Sequence, residues 1–500
     1  MIALWSAQLV ALMSVLPTLS LHAAGKTHLR EAAVAGSFYP AEPAQLKAMM
    51  DQMLEAAPAA QTQGEIFAAI APHAGYPYSG PVAASTFAAL RGRHYKRVVV
   101  IAPTHVEAIA FTSVYNGDGY TTPLGTIPLD KEFAHKLASS HGSIKLSAEG
   151  HTTSGERGEH AIEVELPWLQ HVLGNFTLVP IIMGMQNYES SRELGTALAA
   201  LIAKEPAGET LILASSDLSH YHSYDEATRL DHRSLAAFTA WDYYSMSRNF
   251  ESRHWEACGG APIVAAMIAA ERLGANRAEL LRYANSGDIT GDHGRVVGYS
   301  AGLLLRDDQA STTEEPFAMS DDVKQQLLEL ARKSVEMAVR THHVYEPEAS
   351  LAIEREAELG AFVTLHKQGQ LRGCIGYTSA TKPLTQTIRD TATLAALRDP
   401  RFAAVTVEEL DSIDYEISVL SPLRHVQNIE EIKIGRDGLL IKRGSREGLL
   451  LPQVPVEQHW NRQTLLEQTC HKAGLERDCW KSDQTDIFRF SAVVFRDDKK

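Results

Sequence analysis

The sequence predicts an α/β domain followed by a smaller α+β domain. The chain has 500 residues, which is too many for one hydrophobic core of ordinary size. Up to about residue 306, short apolar runs alternate with helical patterns, which is typical of a sheet covered by helices. Beyond residue 323, helices and strands follow one another without that alternation. We therefore expect domains at residues 30–306 and 323–497, joined by a polar, acidic linker at 307–322.

The overall composition excludes one broad class of function. Hydrophobic residues make up 45% of the chain and charged residues 22%, which is typical of a globular protein. The formal net charge is −14, and the sequence contains no cluster of Lys and Arg of the kind that binds phosphates. We therefore expect no nucleic-acid partner.

Residues 1–25 carry no charged side chain. Within them, Leu9–Leu16 is apolar and is followed by Pro17 and small residues, as in a signal peptide with its cleavage site. This pattern predicts a signal peptide and favours export to the periplasm over a cytoplasmic location. No Lys or Arg precedes the apolar run, so a start codon placed too far upstream of a cytoplasmic domain is the alternative. The run is shorter than the roughly 20 apolar residues that span a bilayer, so we expect no stable membrane span.

Four apolar runs of the first domain are typical of buried strands. The runs are Ile66–Ala71, Arg97–Ala102, Phe176–Met183 and Thr210–Ala214. Three of them lead within a few residues to His73, to His105, or to Asp217 and His220. In open α/β sheets, ligands bind at the carboxyl ends of the strands, so we expect these four side chains in one pocket. Five other histidines lie away from strand ends and are expected on the surface: His94, His135, His141, His151 and His171.

Cys258 lies just before a predicted helix at Ile263–Arg272. The positive end of a helix dipole lowers the pKa of a thiol and favours the thiolate that a metal needs. Two imidazoles and one thiolate suit zinc, iron or copper, and three protein ligands leave positions open for water or substrate. His73, His105 and Cys258 are therefore the candidate metal ligands. The structural alternative is two hydrogen-bonded loop histidines and an inert buried thiol.

Asp217 and His220 permit two interpretations. In one, they orient a metal-binding imidazole by a hydrogen bond to the ring nitrogen that does not bind the metal. In the other, they act as an acid/base pair on a bound molecule. His160 is a further candidate for either role. It shares with Glu159 and Glu163 a segment whose spacing places these side chains together at a helix start, where capping and solvation explain them equally well.

The second domain contains an unusual segment at 371–376, in which two glycines bracket Cys374 after Arg372. The glycines predict a tight or left-handed backbone. Such a loop presents a thiol and a guanidinium to a ligand, or simply turns between strands with Cys374 buried.

Cys470 and Cys479 are nine residues apart, which permits a disulfide in an exported protein or two unrelated buried thiols. We expect helices at Lys324–Arg340, Pro383–Arg398 and Leu465–Ala473, and strands at Ala361–His366, Tyr415–Leu420 and Ile487–Phe495.

Four motifs occur in order in the first domain: Ala-Gly-Ser-Phe-Tyr-Pro at 35–40, Ala-Pro-His-Ala-Gly-Tyr at 71–76, Glu-His-Ala-Ile-Glu-Val-Glu-Leu-Pro at 159–167, and Ser-Ser-Asp-Leu-Ser-His at 215–220. With these motifs, residues 30–306 resemble the Memo family, the B component of the so-called AmmeMemoRadiSam system. The resemblance implies that His73, His105 and Cys258 bind a metal, with iron or copper expected. It also implies that Asp217 and His220 lie in the pocket.

The Memo family in turn resembles the class III extradiol dioxygenases in fold. Those enzymes open catechol rings at ferrous iron held by two His and one carboxylate. Here Cys258 stands in place of the carboxylate, and a thiolate makes a softer site. The resemblance therefore implies a dioxygenase-like fold but puts ring cleavage in doubt, because a fold does not settle a function.

The second domain carries its own resemblance. The segment 371–376, the sequence Asp-Pro-Arg-Phe at 399–402 and the run Asp414–Leu420 are similar to the AMMECR family, the A component of the same system. This similarity covers residues 323–497. It implies a fold of AMMECR type but no settled activity, and it leaves Arg372 and Cys374 as the candidate site of this domain.

Two functions are consistent with these features. One is a metal-dependent oxidoreductase, related in fold to extradiol dioxygenases, that acts on a small molecule or a peptide. The other is a non-catalytic metal-binding component that acts with a radical SAM protein, whose CxxxCxxC motif this chain lacks. Iron is the expected cofactor, with copper and zinc as alternatives.

Overall fold

The structure is a computed structural model that describes residues 27–58, 62, 64–154, 157–308, 317–346, 358–378 and 381–497. The predicted signal peptide at 1–25 and the stretch 309–316 of the predicted linker lie outside the described residues. Within the described residues, no helix is both long enough and apolar enough to cross a membrane.

The first domain mixes strands and helices along its whole length. Its strands are β1 (Leu29–Arg30), β2 (Glu65–Ala71), β3 (Arg97–Pro103), β4 (Thr112–Tyr115), β5 (Gly119–Thr122), β6 (Gly125–Pro128), β7 (Ile144–Ser147), β8 (Thr177–Met183), β9 (Thr210–Ser215), β10 (Asp217–His222), β11 (Arg277–Asn285) and β12 (Val296–Arg306). Its helices are α1 (Pro43–Ala56), α2 (Tyr76–Leu90), α3 (Lys131–Ala138), α4 (Leu166–Leu173), α5 (Tyr188–Ile202), α6 (Tyr224–Thr239), α7 (Tyr243–Glu251), α8 (Gly260–Arg272) and α9 (Ser286–Thr290).

Four parallel strands form the centre of the main sheet. β2, β9, β3 and β8 lie side by side in that order, and each pairs in parallel with its neighbour. β12 and β10 continue the sheet beyond β2, and β4 and β7 continue it beyond β8. The four central strands begin and end within one residue of the predicted bounds. Because they are parallel, their carboxyl ends meet at one edge of the sheet.

Helices cover both faces of this sheet. Val99 and Ile101 of β3 pack in one core with the apolar helix α8, whereas Val98 and Val100 of the same strand pack in a second core with α2 and α4. Successive side chains of a strand point to opposite faces, so a strand between two helical layers must be apolar throughout. This requirement explains the continuous runs of Val, Ile, Leu and Ala in the sequence.

The segment that follows β9 differs from the prediction. Asp217 and His220 do not lie in a loop but on β10, which pairs antiparallel with β12 through an irregular register. Four of the six residues of β10 are polar, and Ser219 and His220 are adjacent, so the alternation typical of a strand is broken. Asp217 nevertheless remains two residues beyond the end of β9, so it still lies at the edge where the central strands end.

The second domain contains two four-stranded antiparallel sheets with helices packed against them. Its strands are β13 (Ala361–Lys367), β14 (Gln370–Tyr377), β15 (Ile413–Leu420), β16 (Arg424–His425), β17 (Gly438–Arg443), β18 (Arg446–Leu450), β19 (Asp486–Phe490) and β20 (Ala492–Arg496). Its helices are α10 (Asp321–Thr341), α11 (Leu384–Leu397), α12 (Gln453–Glu457) and α13 (Arg462–Lys472). The sheet orders are β14-β13-β15-β20 and β16-β19-β17-β18. The single strand expected at Ile487–Phe495 is therefore two strands in different sheets, divided at Ser491.

The segment 371–376 is not a loop, and the prediction of a tight or left-handed backbone there is wrong. It lies within β14, and neither Gly373 nor Gly376 has a positive φ. Gly373 is required for another reason, because a Cβ at this position would lie 2.2 Å from the carbonyl oxygen of Ala395 on α11. The glycine thus permits close packing of a helix on a strand.

Cys470 and Cys479 form a disulfide, with 5.9 Å between their Cα atoms. Both residues are buried in a small core of the second domain. Of the two alternatives for this pair, the structure contains the bonded form.

The two domains share part of one hydrophobic core. Tyr188 and Tyr244 of the first domain pack against Phe488 of the second. Polar contacts surround them: the hydroxyl of Tyr188 donates to Asp486 at 3.0 Å, and the indole N–H of Trp255 donates to Glu358 at 2.8 Å. The domains therefore form a continuous interface, and Trp255 contributes to it only three residues before Cys258.

Candidate metal centre

His73, His105 and Cys258 come together at the carboxyl edge of the central strands. His73 follows β2, His105 follows β3, and Cys258 precedes α8. One ligand atom from each residue lies within 4.8 Å of the others. His73 Nε2 and Cys258 Sγ are 3.2 Å apart, and the two imidazole rings are 5.1 Å apart between centroids. The structure thus brings together the three residues that the sequence analysis selected.

The spacing of these atoms fits a shared metal ion. Metal bonds of about 2.1 Å to nitrogen and about 2.3 Å to sulfur separate the two ligand atoms by about 3.1 Å at a right angle and by about 3.6 Å at a tetrahedral angle. The observed 3.2 Å between His73 Nε2 and Cys258 Sγ lies within that range. The donor set is also one that first-row transition metals accept.

His73 is oriented by Ser215, the last residue of β9. Its Nδ1 lies 2.8 Å from Ser215 Oγ, which also contacts the carbonyl oxygen of Ala161 and Glu165 Oε1, each at 2.7 Å. Burial raises the pKa of Glu165, which favours its protonated form. The hydroxyl of Ser215 can then accept from His73 and Glu165 and donate to Ala161. This arrangement places the proton of His73 on Nδ1 and leaves Nε2 free for a metal.

His105 is oriented by Glu159. One carboxylate oxygen accepts the backbone N–H of His105 at 2.5 Å, and the other lies 3.1 Å from His105 Nδ1. Burial alone would raise the pKa of Glu159, but the hydrogen bonds from His105 lower it to about 2, so the carboxylate is ionised. Nδ1 therefore carries a proton, and Nε2 is the nitrogen available to a metal. Glu159 ranks low as a site residue from sequence, because capping and solvation explain it equally well.

His160 is a third imidazole of the same cluster. Its ring centroid lies 4.6 Å from that of His105 and 5.6 Å from that of His73. Together with His105 and Glu159 it forms a second group of side chains with metal-binding geometry. Burial, assisted by nearby His105, lowers the pKa of His160 to about 3, and burial also lowers the pKa of His73. These imidazoles are thus neutral at physiological pH, the state that binds metals.

Asp217 acts on the backbone around the ligands. Its Oδ1 accepts the backbone N–H of His73 at 2.9 Å, and its own N–H points at Cys258 Sγ at 3.2 Å. Burial raises the pKa of Asp217 to about 7. It therefore positions His73 and Cys258 without contacting an imidazole, and the imidazole-orienting role belongs to Ser215 and Glu159.

His220 lies beside the cluster, at the wall of a cavity. Its Nδ1 lies 2.8 Å from the carbonyl oxygen of Leu218, so Nδ1 donates and Nε2 carries the free lone pair. Burial lowers the pKa of His220. Its side chain lines a cavity of about 510 Å³ together with Cys258. His220 is therefore placed to exchange a proton with a molecule in that cavity.

The thiol of Cys258 differs from expectation in its acidity. Burial raises its pKa, and the charge of Asp217 adds to the effect. The expected lowering by the helix dipole is thus wrong, because desolvation outweighs the backbone N–H groups that face the sulfur. Close packing enforces the burial: a Cβ on Gly259 would lie 2.4 Å from the carbonyl oxygen of Ser215. A bound cation would supply the charge that the thiolate needs.

One of the histidines expected on the surface is buried. His151 is 3% exposed, accepts the hydroxyl of Tyr120 at 2.5 Å through Nδ1, and has Nε2 3.3 Å from the carbonyl oxygen of Ser113. Burial lowers its pKa to about 3. Position outside a strand end was therefore an unreliable indicator of exposure. His94, His135 and His141 are exposed as expected.

The candidate site of the second domain has a different character. Arg372 donates to both carboxylate oxygens of Glu409, at 3.2 and 2.9 Å, and to the carbonyl oxygens of Ala403 and Ala404. The backbone N–H of Cys374 donates to Asp399 at 2.8 Å. Arg372 thus ties the segment 403–409 to β14, which is a structural use of the guanidinium.

Comparison with known proteins identifies both domains. Residues 30–303 match the family described as Memo-like protein. The chain belongs to this family. Residues 328–495 match the AMMECR1 family, so the chain is a fusion of the two. The predicted relationship to the Memo and AMMECR families is confirmed.

Relatives that each match part of the chain occur in archaea. A MEMO1 family protein of Methanopyrus kandleri is 36% identical over 286 residues, which cover 55% of this chain and 99% of the relative. A protein of Thermococcus kodakarensis is 43% identical over 192 residues, covering 36% of this chain and 94% of the relative. Among solved structures, an uncharacterised protein of Pyrococcus horikoshii is 38% identical, with a TM-score of 0.36, covering 36% of this chain and 95% of its own.

Proposed function

We propose that the chain is the metal-binding, two-domain component of an AmmeMemoRadiSam-type system and acts with a radical SAM protein. In this proposal iron is held by His73, His105 and Cys258. The convergence of their three ligand atoms within 4.8 Å is the observation that carries it. The presence of a Memo-like and an AMMECR1 domain in one chain supports the assignment to that system, since fusion raises the effective concentration of each domain for the other.

The orientation of the ligands supports a resident metal. Ser215 and Glu159 each hold the Nδ1 side of an imidazole, so that Nε2 of His73 and of His105 face the same space. Such partners fix the tautomer and ring direction of metal-binding histidines. Bound iron would supply Lewis-acid and redox chemistry there. Copper and zinc are the alternatives, because all three metals accept imidazole and thiolate ligands.

A second candidate is an enzyme: a metal-dependent oxidoreductase related in fold to extradiol dioxygenases. The cavity of about 510 Å³ favours it, because this cavity gives a small molecule access to Cys258 and His220. Three protein ligands leave coordination positions open to such a molecule. In this function His220 exchanges a proton with the substrate through Nε2, while Asp217 holds the backbone of His73 in place.

Metal content of the full chain tests the first proposal. After anaerobic purification we expect about one iron per chain, as one three-ligand site implies. His73→Ala and Cys258→Ser should each remove most of it. Cys374→Ser is the matched control, because Cys374 is the other free cysteine of the described residues and should leave the metal content unchanged. Unchanged metal in both ligand variants would refute the site.

The two candidate functions are distinguished by oxygen uptake with catechols. Uptake by the iron-loaded chain that disappears in Cys258→Ser would establish the oxidoreductase. No uptake, together with co-purification of the radical SAM protein of the same system, would support the component role. Absence of both would contradict the radical SAM partnership and the oxidoreductase together.

A further inference from the structure

The cavity beside Cys258 has a mixed charged lining. It measures about 510 Å³, a size that suits a small molecule. Its charged side chains are Glu251, Arg253 and Glu256, and His220 and Cys258 lie in the same wall. Which of these groups remain available decides what kind of molecule the cavity accepts.

Both carboxylates of the lining are already engaged. Glu251 accepts the backbone N–H of Tyr188 at 2.7 Å and the hydroxyl of Ser247 at 2.9 Å. Glu256 contacts Nε2 of His222 at 2.9 Å through one oxygen and accepts the backbone N–H of His220 at 3.3 Å through the other. Neither acid is therefore free to bind a cationic ligand.

Arg253 is different, because its guanidinium has no hydrogen bond or ion pair with any residue that the structure describes. Its backbone is also unusual. The backbone N–H of Arg253 donates to the carbonyl oxygen of Phe250, and that of His254 donates to the carbonyl oxygen of Asn249. This pair of hydrogen bonds is typical of a helix that ends at a left-handed residue. Arg253 occupies the left-handed position with φ 58°, where glycine is usual.

An arginine at this position is unfavourable for folding. A side chain in the left-handed conformation costs about 1 kcal/mol relative to glycine. Tyr221, beside His220, is also left-handed, with φ 65°. The backbone thus gives no reason for an arginine here, and the argument rests on the unpaired guanidinium in the cavity wall.

We propose that Arg253 binds the carboxylate of a small organic acid whose other end reaches Cys258 and His220. The planar guanidinium matches a carboxylate with two parallel hydrogen bonds. A singly charged carboxylate also suits a wall that contains Glu251 better than a phosphate dianion does. The inference rests on the proposed function and deepens it, since it names the substrate class of the cavity that the proposed ligand Cys258 lines.

Alkylation of Cys258 in the metal-free full chain tests this proposal. Iodoacetate and iodoacetamide have nearly the same shape, and only iodoacetate carries a carboxylate. At each cysteine we take the rate with iodoacetate divided by the rate with iodoacetamide. The quotient of this ratio at Cys258 and the same ratio at Cys374 measures the preference of the cavity for an anion. Arg253→Gln should lower that quotient about twofold to fourfold, the range that one unit charge gives in water between about 10 and 5 Å. Arg91→Gln, an exposed arginine elsewhere in the domain, should leave it unchanged.

Two further variants separate binding from folding. Arg253→Lys keeps the charge and should keep most of the quotient. Arg253→Gly should lower the quotient as Arg253→Gln does, while raising the melting temperature, because glycine relieves the left-handed backbone. A loss of stability in Arg253→Gly would mean that Arg253 serves the fold, and would overturn the proposal.

Protection from alkylation identifies the anion. Acetate should slow the reaction of Cys258 more than phosphate at equal ionic strength, and stronger protection by phosphate would overturn the assignment of a carboxylate. An unchanged quotient in Arg253→Gln, or a Cys258 that reacts with neither reagent, would overturn the subsite itself. Because no metal is present in these measurements, their outcome is separate from that of the metal-content experiment.

Discussion

Two clusters in this protein are built around a free cysteine, and they use their polar groups in opposite ways. In the first domain, Cys258 meets the imidazoles of His73 and His105, and the groups behind each imidazole leave one nitrogen free. In the second domain, the donors of Arg372 beside Cys374 are distributed over one carboxylate and two carbonyl oxygens. The first cluster therefore has ligand atoms that remain available to a metal, whereas the donors of Arg372 in the second cluster are already used.

The contrast shows which property marks a functional site. Each segment places glycine next to cysteine, and the one at 371–376 looked unusual in sequence. In both, the glycine serves close packing: Gly259 lies against Ser215, and Gly373 against Ala395. A rare motif is therefore weak evidence by itself. Side chains held with unsatisfied lone pairs in a shared space are stronger evidence, because an unused buried polar group is costly unless a ligand satisfies it.

The largest effect is expected from removing the guanidinium of the second cluster. Arg372→Ala leaves two carbonyl oxygens without this donor and leaves Glu409 with Lys367 as its remaining cationic partner, at a site where the Arg372 side chain is 14% exposed. We expect a loss of about 3 kcal/mol in the free energy of unfolding, with metal content unchanged. Urea denaturation measures the loss. Lys333→Ala, which removes a well-exposed ion pair of the same domain, should cost less than about 0.5 kcal/mol. Equal costs for the two variants would contradict a structural role for Arg372.

An intermediate effect is expected from the carboxylate behind His105. Glu159→Gln keeps the size of the side chain but loses the charge that orients Nδ1 of His105. We expect metal affinity to fall about 10- to 100-fold, as for other carboxylates behind metal-binding histidines. Competition with a chelator measures the affinity, and Glu209→Gln, at a side chain that is 38% exposed, serves as the control. If Glu159→Gln binds metal as tightly as the unaltered chain, His105 does not depend on Glu159.

Much of this site was predictable from sequence because one physical rule places it. The four central strands are continuous apolar runs, since helices cover both of their faces, and such runs are visible without a structure. Their parallel arrangement then brings His73 and His105 to one edge. The helix at α8 likewise placed Cys258 close to that edge.

What sequence could not provide depends on distances between remote residues. Glu159 and His105 are 54 positions apart, and no pattern indicates that they touch. Ser215 looked like an ordinary strand end, although it orients His73. The acidity of Cys258 was misjudged because a helix dipole and burial act in opposite directions, and their balance depends on packing. His151 was misplaced for the same reason, since burial has no local signature in a polar segment.

The smallest effect is expected from acid titration of the second cluster, and its sign follows from Glu409. The hydrogen bonds from Arg372 and Lys367 lower the pKa of Glu409 from 4.5 to about 2. Its ionised form therefore stabilises the folded domain fully above about pH 4.5, and that stabilisation disappears as the pH falls toward 2. Because the ion pair is near the surface, we expect about 1 kcal/mol. Urea denaturation at neutral and acidic pH should show a smaller loss for Glu409→Gln than for the unaltered chain. Parallel pH profiles for the two proteins would mean that Arg372 is held by the carbonyl oxygens of Ala403 and Ala404 alone, and that the second cluster is less ionic than its geometry indicates.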